Sequence, residues 1–151
     1  MTAVSMDQIW QIVWAGVGSL GFCWLFNVRR ERIVYVVVGA MITWLLYLAA
    51  EIAGWGVFTC SMAATVFATI FCEVLAHRLK APVTAFLMPV LIPMVPGGSL
   101  YNTVYHLLTR DAAQMRHYAT ATVMTCMGIV LGIVGVQFIV QYWKGRKKHA
   151  A

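Results

Sequence analysis

Charge is what this chain has least of. Only 11% of its 151 residues are Asp, Glu, Lys or Arg, and five of these are carboxylates. A soluble domain of this size is about one quarter charged. So few carboxylates cannot solvate its surface, which excludes a water-soluble globule. At 62% hydrophobic the chain is also far from the polar composition of disorder. Cysteine is sparse as well. Cys23, Cys60, Cys72 and Cys126 lie in apolar runs with no CxxC pair and no zinc spacing. That excludes a disulfide-rich secreted module, and the four read as small membrane-buried residues. The stretch Glu73-Val-Leu-Ala-His77 is not a zincin motif. No phosphate loop, nucleophile elbow or paired-carboxylate site occurs, so neither catalytic residues nor a metal or cofactor is expected, and the chain is not read as an enzyme.

What is abundant is long apolar sequence, with a mean hydropathy of +0.80. The expectation is an all-α integral membrane protein forming a single transmembrane domain over residues 1–151. A spanning helix needs roughly 20 residues, which leaves room for about five: 9–26, 33–53, 57–79, 83–109 and 119–143. The first run follows a non-basic N-terminus and ends in arginines, so it reads as a retained span, not a cleaved signal.

The formal charge of +6 does not call for nucleic acid. The basic residues sit in short clusters between runs: Arg29, Arg30 and Arg32; Arg78 and Lys80; Lys144, Arg146, Lys147 and Lys148. With the N-terminus outside and five crossings, these nine of the eleven Lys and Arg face the cytoplasm, leaving Arg110 and Arg116 outside. That obeys the positive-inside rule, and Trp10, Trp14, Trp55, Tyr142 and Trp143 fall at the interfaces as belt aromatics. Ala15/Ser19 and the Gly128-x-x-x-Gly132 pair are spaced for close helix approach in lipid.

The fourth run is interrupted. Pro89, Pro93 and Pro96 precede Gly97 and Gly98, and each interior proline removes a backbone donor and clashes with the turn before it. A break at Pro96-Gly97-Gly98 is predicted, with the helix restarting near Leu100 under a Ser99 cap. A re-entrant hairpin is the competing geometry, but it would place the basic tail outside, so a through-crossing is preferred. Irregular backbone near mid-membrane survives only when buried in protein or lining a watery cavity. A half-helix N-terminus there offers N–H groups and positive potential to an anion such as a carboxylate. Pro96, Gly97, Gly98 and Ser99 are therefore candidate substrate-binding residues. Tyr101, Asn102 and His106 add polar edges, with Asn102 and His106 on one face. For His106, a structural hydrogen bond and proton handling both remain open.

Ionisable residues in spans usually face a cavity or a partner. Glu51 and Glu73 are the candidates for proton coupling. His77, one turn beyond Glu73, makes either a proton relay or a salt-bridging pair that snorkels towards Arg78.

The string MPVLIPMVPGGSLYNTVYHLL resembles the proline- and glycine-rich signature of the threonine/serine exporter family. LGFCWLFNVRRERI resembles that family's first span and basic loop, and the likeness covers roughly residues 15–143. It is closest to the short, split-type subunit matching the C-terminal membrane half of full-length exporters. The resemblance implies a bacterial inner-membrane exporter of small amino acids, or of related carboxylates such as succinate. It also implies a companion membrane subunit supplying the other half, in a hetero-oligomer embedded in lipid. The alternatives are an accessory or assembly subunit without its own substrate site and, more distantly, a homo-oligomeric pore.

Overall fold

The computed structural model describes residues 6–149, with side chains through Trp143. Residues 1–5 and the side chains of Lys144, Arg146, Lys147 and Lys148 lie outside the described part. Six α-helices follow in order: α1 (Met6–Leu25), α2 (Arg30–Ile52), α3 (Val57–Leu79), α4 (Val83–Leu91), α5 (Gly97–Leu108) and α6 (Ala112–His149). A 3-10 turn, Ile92–Met94, joins α4 to the break. No strand occurs among the described residues, and the all-α membrane fold expected from composition is the fold found.

Three helices are long and apolar enough to cross a membrane: α2, α3 and the Ala112–Trp143 part of α6. The pair Val83–Met94 and Gly97–Leu108, bent by 49°, passes as a fourth when taken together. α1 has 20 residues but does not join this group, because Gln8, Gln11, Trp10, Trp14 and Trp24 dilute its hydropathy. Length and composition thus support three crossings, or four with the bent pair, where five were expected. α6 exceeds its expected bounds at both ends. Its 38 residues span about 57 Å at 1.5 Å per residue, against a hydrocarbon core of about 30 Å.

α3 is the centre of the bundle, and its composition explains why. Every buried residue on it is Cys, Ser, Ala or Thr: Cys60, Ser61, Ala64, Thr65, Ala68, Thr69, Cys72 and Ala76. In lipid, helices associate through close packing and not through hydrophobic drive. A helix with small residues on several faces therefore admits several close neighbours, here α2, α4 and α6. The larger core side chains come from α4, where Phe86, Leu87 and Val90 are buried against Ala64, Ala68 and Cys72 in one cluster. The hydroxyls of Ser61 and Thr69 bond back to Val57 O and Thr65 O, each at 2.8 Å. This keeps polar groups satisfied on a face that must stay slim. Three cysteines are buried as expected, but Cys126 is exposed. It lies on the side of α6 that faces away from the bundle.

Both predicted small-residue pairs are used inside the chain. A Cβ built on Gly128 would lie 2.7 Å from Phe58 O, and one on Gly132 2.9 Å from Thr65 Cβ. Ala15 and Ser19 are buried, and a Cβ on neighbouring Gly16 would meet Met41 at 3.1 Å. The α6 contacts advance along α3 in step: Gly128 with Phe58, Ser61 and Met62, then Gly132 with Met62 and Thr65. α6 therefore runs parallel to α3. The chain must return to the start of α3 before α6 can begin, and α4 with α5 carries it there. That geometry is a crossing of the bundle, not a hairpin returning to the end of α3.

Candidate functional site

The break is built by proline chemistry. Pro93 opens the 3-10 turn, which closes with Val95 N–H donating to Ile92 O at 3.1 Å. Val95 and Pro96 then leave helical geometry, with ψ of 126° and 53°. The restart differs from the sequence expectation. α5 begins at Gly97 with Pro96 as its N-cap residue and no side-chain cap, three residues before the expected start at Leu100. Leu100 N–H closes the first turn on Pro96 O at 2.9 Å. Two glycines adopt helical angles without steric cost, so the helix starts as soon as the prolines end. Ser99 lies within the first turn, and its carbonyl accepts from the Thr103 hydroxyl at 2.7 Å. The first amides of a helix have no intrahelical acceptor, and Pro96 has no side-chain oxygen to offer those of Gly98 and Ser99.

A cavity of about 200 Å³ lies at this break, lined by Trp44, Tyr47, Thr125 and Pro93 through Ser99. At roughly 30 Å³ per water, that is room for about six waters or one small metabolite. Trp44 and Tyr47 stack with ring centroids 5.3 Å apart. A Cβ added at Gly97 or Gly98 would meet nothing within 4 Å, so no neighbour requires these glycines to be small. Both are exposed, and the cavity is open on their side.

The expected set divides. Pro96, Gly97, Gly98 and Ser99 line the cavity together, and Tyr101, Asn102 and His106 do not. Tyr101 is exposed and stacks on Tyr105, with centroids 6.5 Å apart. Asn102 Nδ2 donates to Gly98 O within its own helix at 2.9 Å. His106 stacks flat on Tyr118, with centroids 5.5 Å apart, and its Nδ1 is 4.0 Å from Asp111 Oδ2. Asn102 and His106 do share a face, as their spacing implied, and that face is turned towards α6. Asp111 also accepts from Gln114 N–H at 3.2 Å, so His106 belongs to the joint between α5 and α6.

Trp44, Tyr47 and Thr125 are cavity residues that the sequence reading did not single out. Nothing local marks them, since only the packing of α2 and α6 around the break brings them there. The two glutamates stand at opposite ends of the bundle. Glu51 is exposed near the end of α2, one turn beyond Tyr47. Glu73 is half-buried near the end of α3 and, with His77, lines an open groove of about 500 Å³. Beside it, Arg32 Nη2 donates to Leu79 O at 3.0 Å, closing the end of α3.

A family model described as Threonine/Serine exporter, ThrE, matches residues 11–139. The chain belongs to the threonine/serine exporter family. No curated protein and no solved structure matches it. The family match spans all six helices, from within α1 to within α6. The protein is therefore a membrane transport protein of the threonine/serine exporter family, and the break cavity lies within the matched region.

Proposed function

We propose that this exporter-family chain is one membrane subunit of a small-carboxylate exporter, and that the cavity at the break holds the substrate. The observation that carries the reading is that Pro96, Gly97, Gly98 and Ser99 converge with Trp44, Tyr47 and Thr125 on one cavity, beside first-turn amides that have no cap. A carboxylate satisfies such amides and the positive end of a helix dipole. Threonine and serine carry that group, as does succinate. Trp44 and Tyr47 supply an aromatic wall that limits size. His106 acts at a remove, by setting through its stack on Tyr118 how α5 sits on α6, and the Asn102 bond to Gly98 O steadies the first turn of α5. Glu73 and Glu51, at the two ends, are the proposed carriers of coupled protons.

The topology that goes with this reading counts α1 as a fifth crossing and places the chain in a bacterial inner membrane, N-terminus outside and C-terminus in the cytoplasm. Arg29, Arg30, Arg32, Arg78 and Lys80 then all lie at the cytoplasmic end. Irregular backbone is not left facing lipid, and Gly97 and Gly98 are exposed on this chain alone. A companion membrane subunit is proposed to cover them and complete the exporter.

The test is co-expression with candidate neighbouring membrane subunits, measuring efflux of threonine, serine and succinate normalised to inserted protein. Efflux that requires both chains and disappears in a Gly97→Leu, Gly98→Leu variant is the expected result. Normal efflux from that variant, well inserted, removes the break as the substrate site.

A further inference from the structure

The start of α3 and the head of α6 enclose a groove of about 550 Å³ that is open to the surface. On α6 its lining runs from Arg116 and His117 through Thr120 to Ala121 and Met124, and α3 adds Val57 and Phe58. Polarity therefore falls from two basic residues to apolar side chains over about 12 Å, at 1.5 Å per residue. We infer that this groove binds one anionic phospholipid. The phosphate sits on Arg116 and His117, and the start of an acyl chain lies along Val57, Phe58 and Met124. This site is separate from the break cavity and does not rest on the substrate proposed for it.

The groove lies at the depth where a phospholipid presents those groups. α3 is apolar enough to cross a membrane from Val57 onward. Trp55, of a residue type that favours the membrane–water interface, is exposed just before it. All the lining comes from residues 56–58 and from α6. Among the described residues no third helix closes the groove, so in a membrane it opens sideways onto lipid.

Arg116 is placed for a phosphate. Its Nε donates to Ala112 O at 3.2 Å, which tethers the guanidinium and leaves the two Nη groups as a fork. Such a fork takes two phosphate oxygens at once. No carboxylate is among the lining residues. Asp111, the nearest acid along the chain, accepts from Gln114 N–H and faces His106 instead. In the topology proposed above, this end is outside, where Lys and Arg are scarce, and Arg116 shares it with Arg110 alone. A lipid phosphate gives that charge a counter-ion. The headgroup is also selected: a zwitterionic lipid brings its own cation towards Arg116, where like charges repel, and phosphatidylglycerol does not.

The test uses the full purified chain in detergent, with native mass spectrometry counting bound phosphatidylglycerol and phosphatidylcholine of identical acyl chains. Wild type is expected to hold one phosphatidylglycerol about tenfold more tightly than phosphatidylcholine, as a charge-assisted hydrogen bond implies. Arg116→Gln should erase that preference. Arg116→Lys should keep part of it, because lysine retains the charge without the fork. Arg110 lies outside the groove in the left-handed conformation, with φ 60°, which asparagine also adopts. Arg110→Asn removes a charge at the same end and should leave the preference intact. Equal binding of the two lipids by wild type overturns the site and leaves annular lipid only. A preference that survives Arg116→Gln, or falls as far in Arg110→Asn, overturns it too. Inorganic phosphate at the lipid's concentration should not displace the lipid, and displacement would assign the groove to a free anion. In native membranes, phosphatidylglycerol with a diazirine in its acyl chain should label Phe58 or Met124. Absence of that label there, with labelling of the purified chain, overturns the proposal because another protein then fills the groove.

Discussion

Gly128 and Gly132 on α6 and Gly97 and Gly98 at the head of α5 are the same pair of residues in opposite surroundings. At the first pair an added Cβ would lie under 3.0 Å from α3, at the second it would meet nothing within 4 Å. The missing side chain serves contact in one place and room in the other. A glycine pair in a membrane helix thus carries no fixed meaning. Its role depends on whether a neighbouring backbone has closed over it, and in this chain α3 closes over one pair only.

The comparison can be broken most sharply at the α3–α6 seam. Gly128→Leu or Gly132→Leu should overpack a site bounded by backbone, costing at least the ~1–3 kcal/mol typical of overpacked cores. The measurement is thermal unfolding in nanodiscs, and a wild-type midpoint for Gly128→Leu would show that the seam is loose. Gly128→Ala should already show part of the loss, because Phe58 O lies 2.7 Å from the new carbon. The Gly97→Leu, Gly98→Leu variant should behave in reverse. Its stability should not fall below wild type, since nothing lies within 4 Å of the new Cβ atoms and leucine is a better helix former than glycine, while efflux falls to background. Gly97→Ala with Gly98→Ala should raise helix stability, by up to about 1 kcal/mol per residue, with a smaller loss of efflux. A lower unfolding temperature in that variant would mean that something does pack there. Ser99→Ala should change least. Ser99 is not the N-cap of α5, so the ~0.5–2 kcal/mol of a lost cap is not expected, and a loss of that size would contradict the observed helix start.

Much of the fold could be read before any coordinates. The runs at 33–53 and 57–79 end within a residue or so of α2 and α3, and the prolines placed the break. The four residues Pro96 to Ser99 were named for the cavity that they line. What could not be read was orientation about each helix axis. In a soluble helix the polar stripe shows which face is outward, but in an almost wholly apolar chain that contrast is absent. Trp44, Tyr47 and Thr125 therefore looked like ordinary membrane residues. The same gap left open whether Gly128 and Gly132 joined helices within the chain or between chains. The polar edge of Asn102 and His106 was detected, but its destination, α6 and not the cavity, depended on how α5 docks. The start of α5 was displaced for a different reason: cap statistics favoured Ser99, while the steric freedom of two glycines let the helix begin earlier.

The two halves of the broken segment pack on different neighbours. α4 is buried among α1, α2 and α3, whereas α5 has no buried residue and packs on α6. The wall of the cavity is divided in the same way: Trp44 and Tyr47 stand on the α4 side, Thr125 and the head of α5 on the α6 side. Because α5 rests on α6 through the His106–Tyr118 stack, the width of the space at Pro96 is set by where the glycine seam holds α6 against α3.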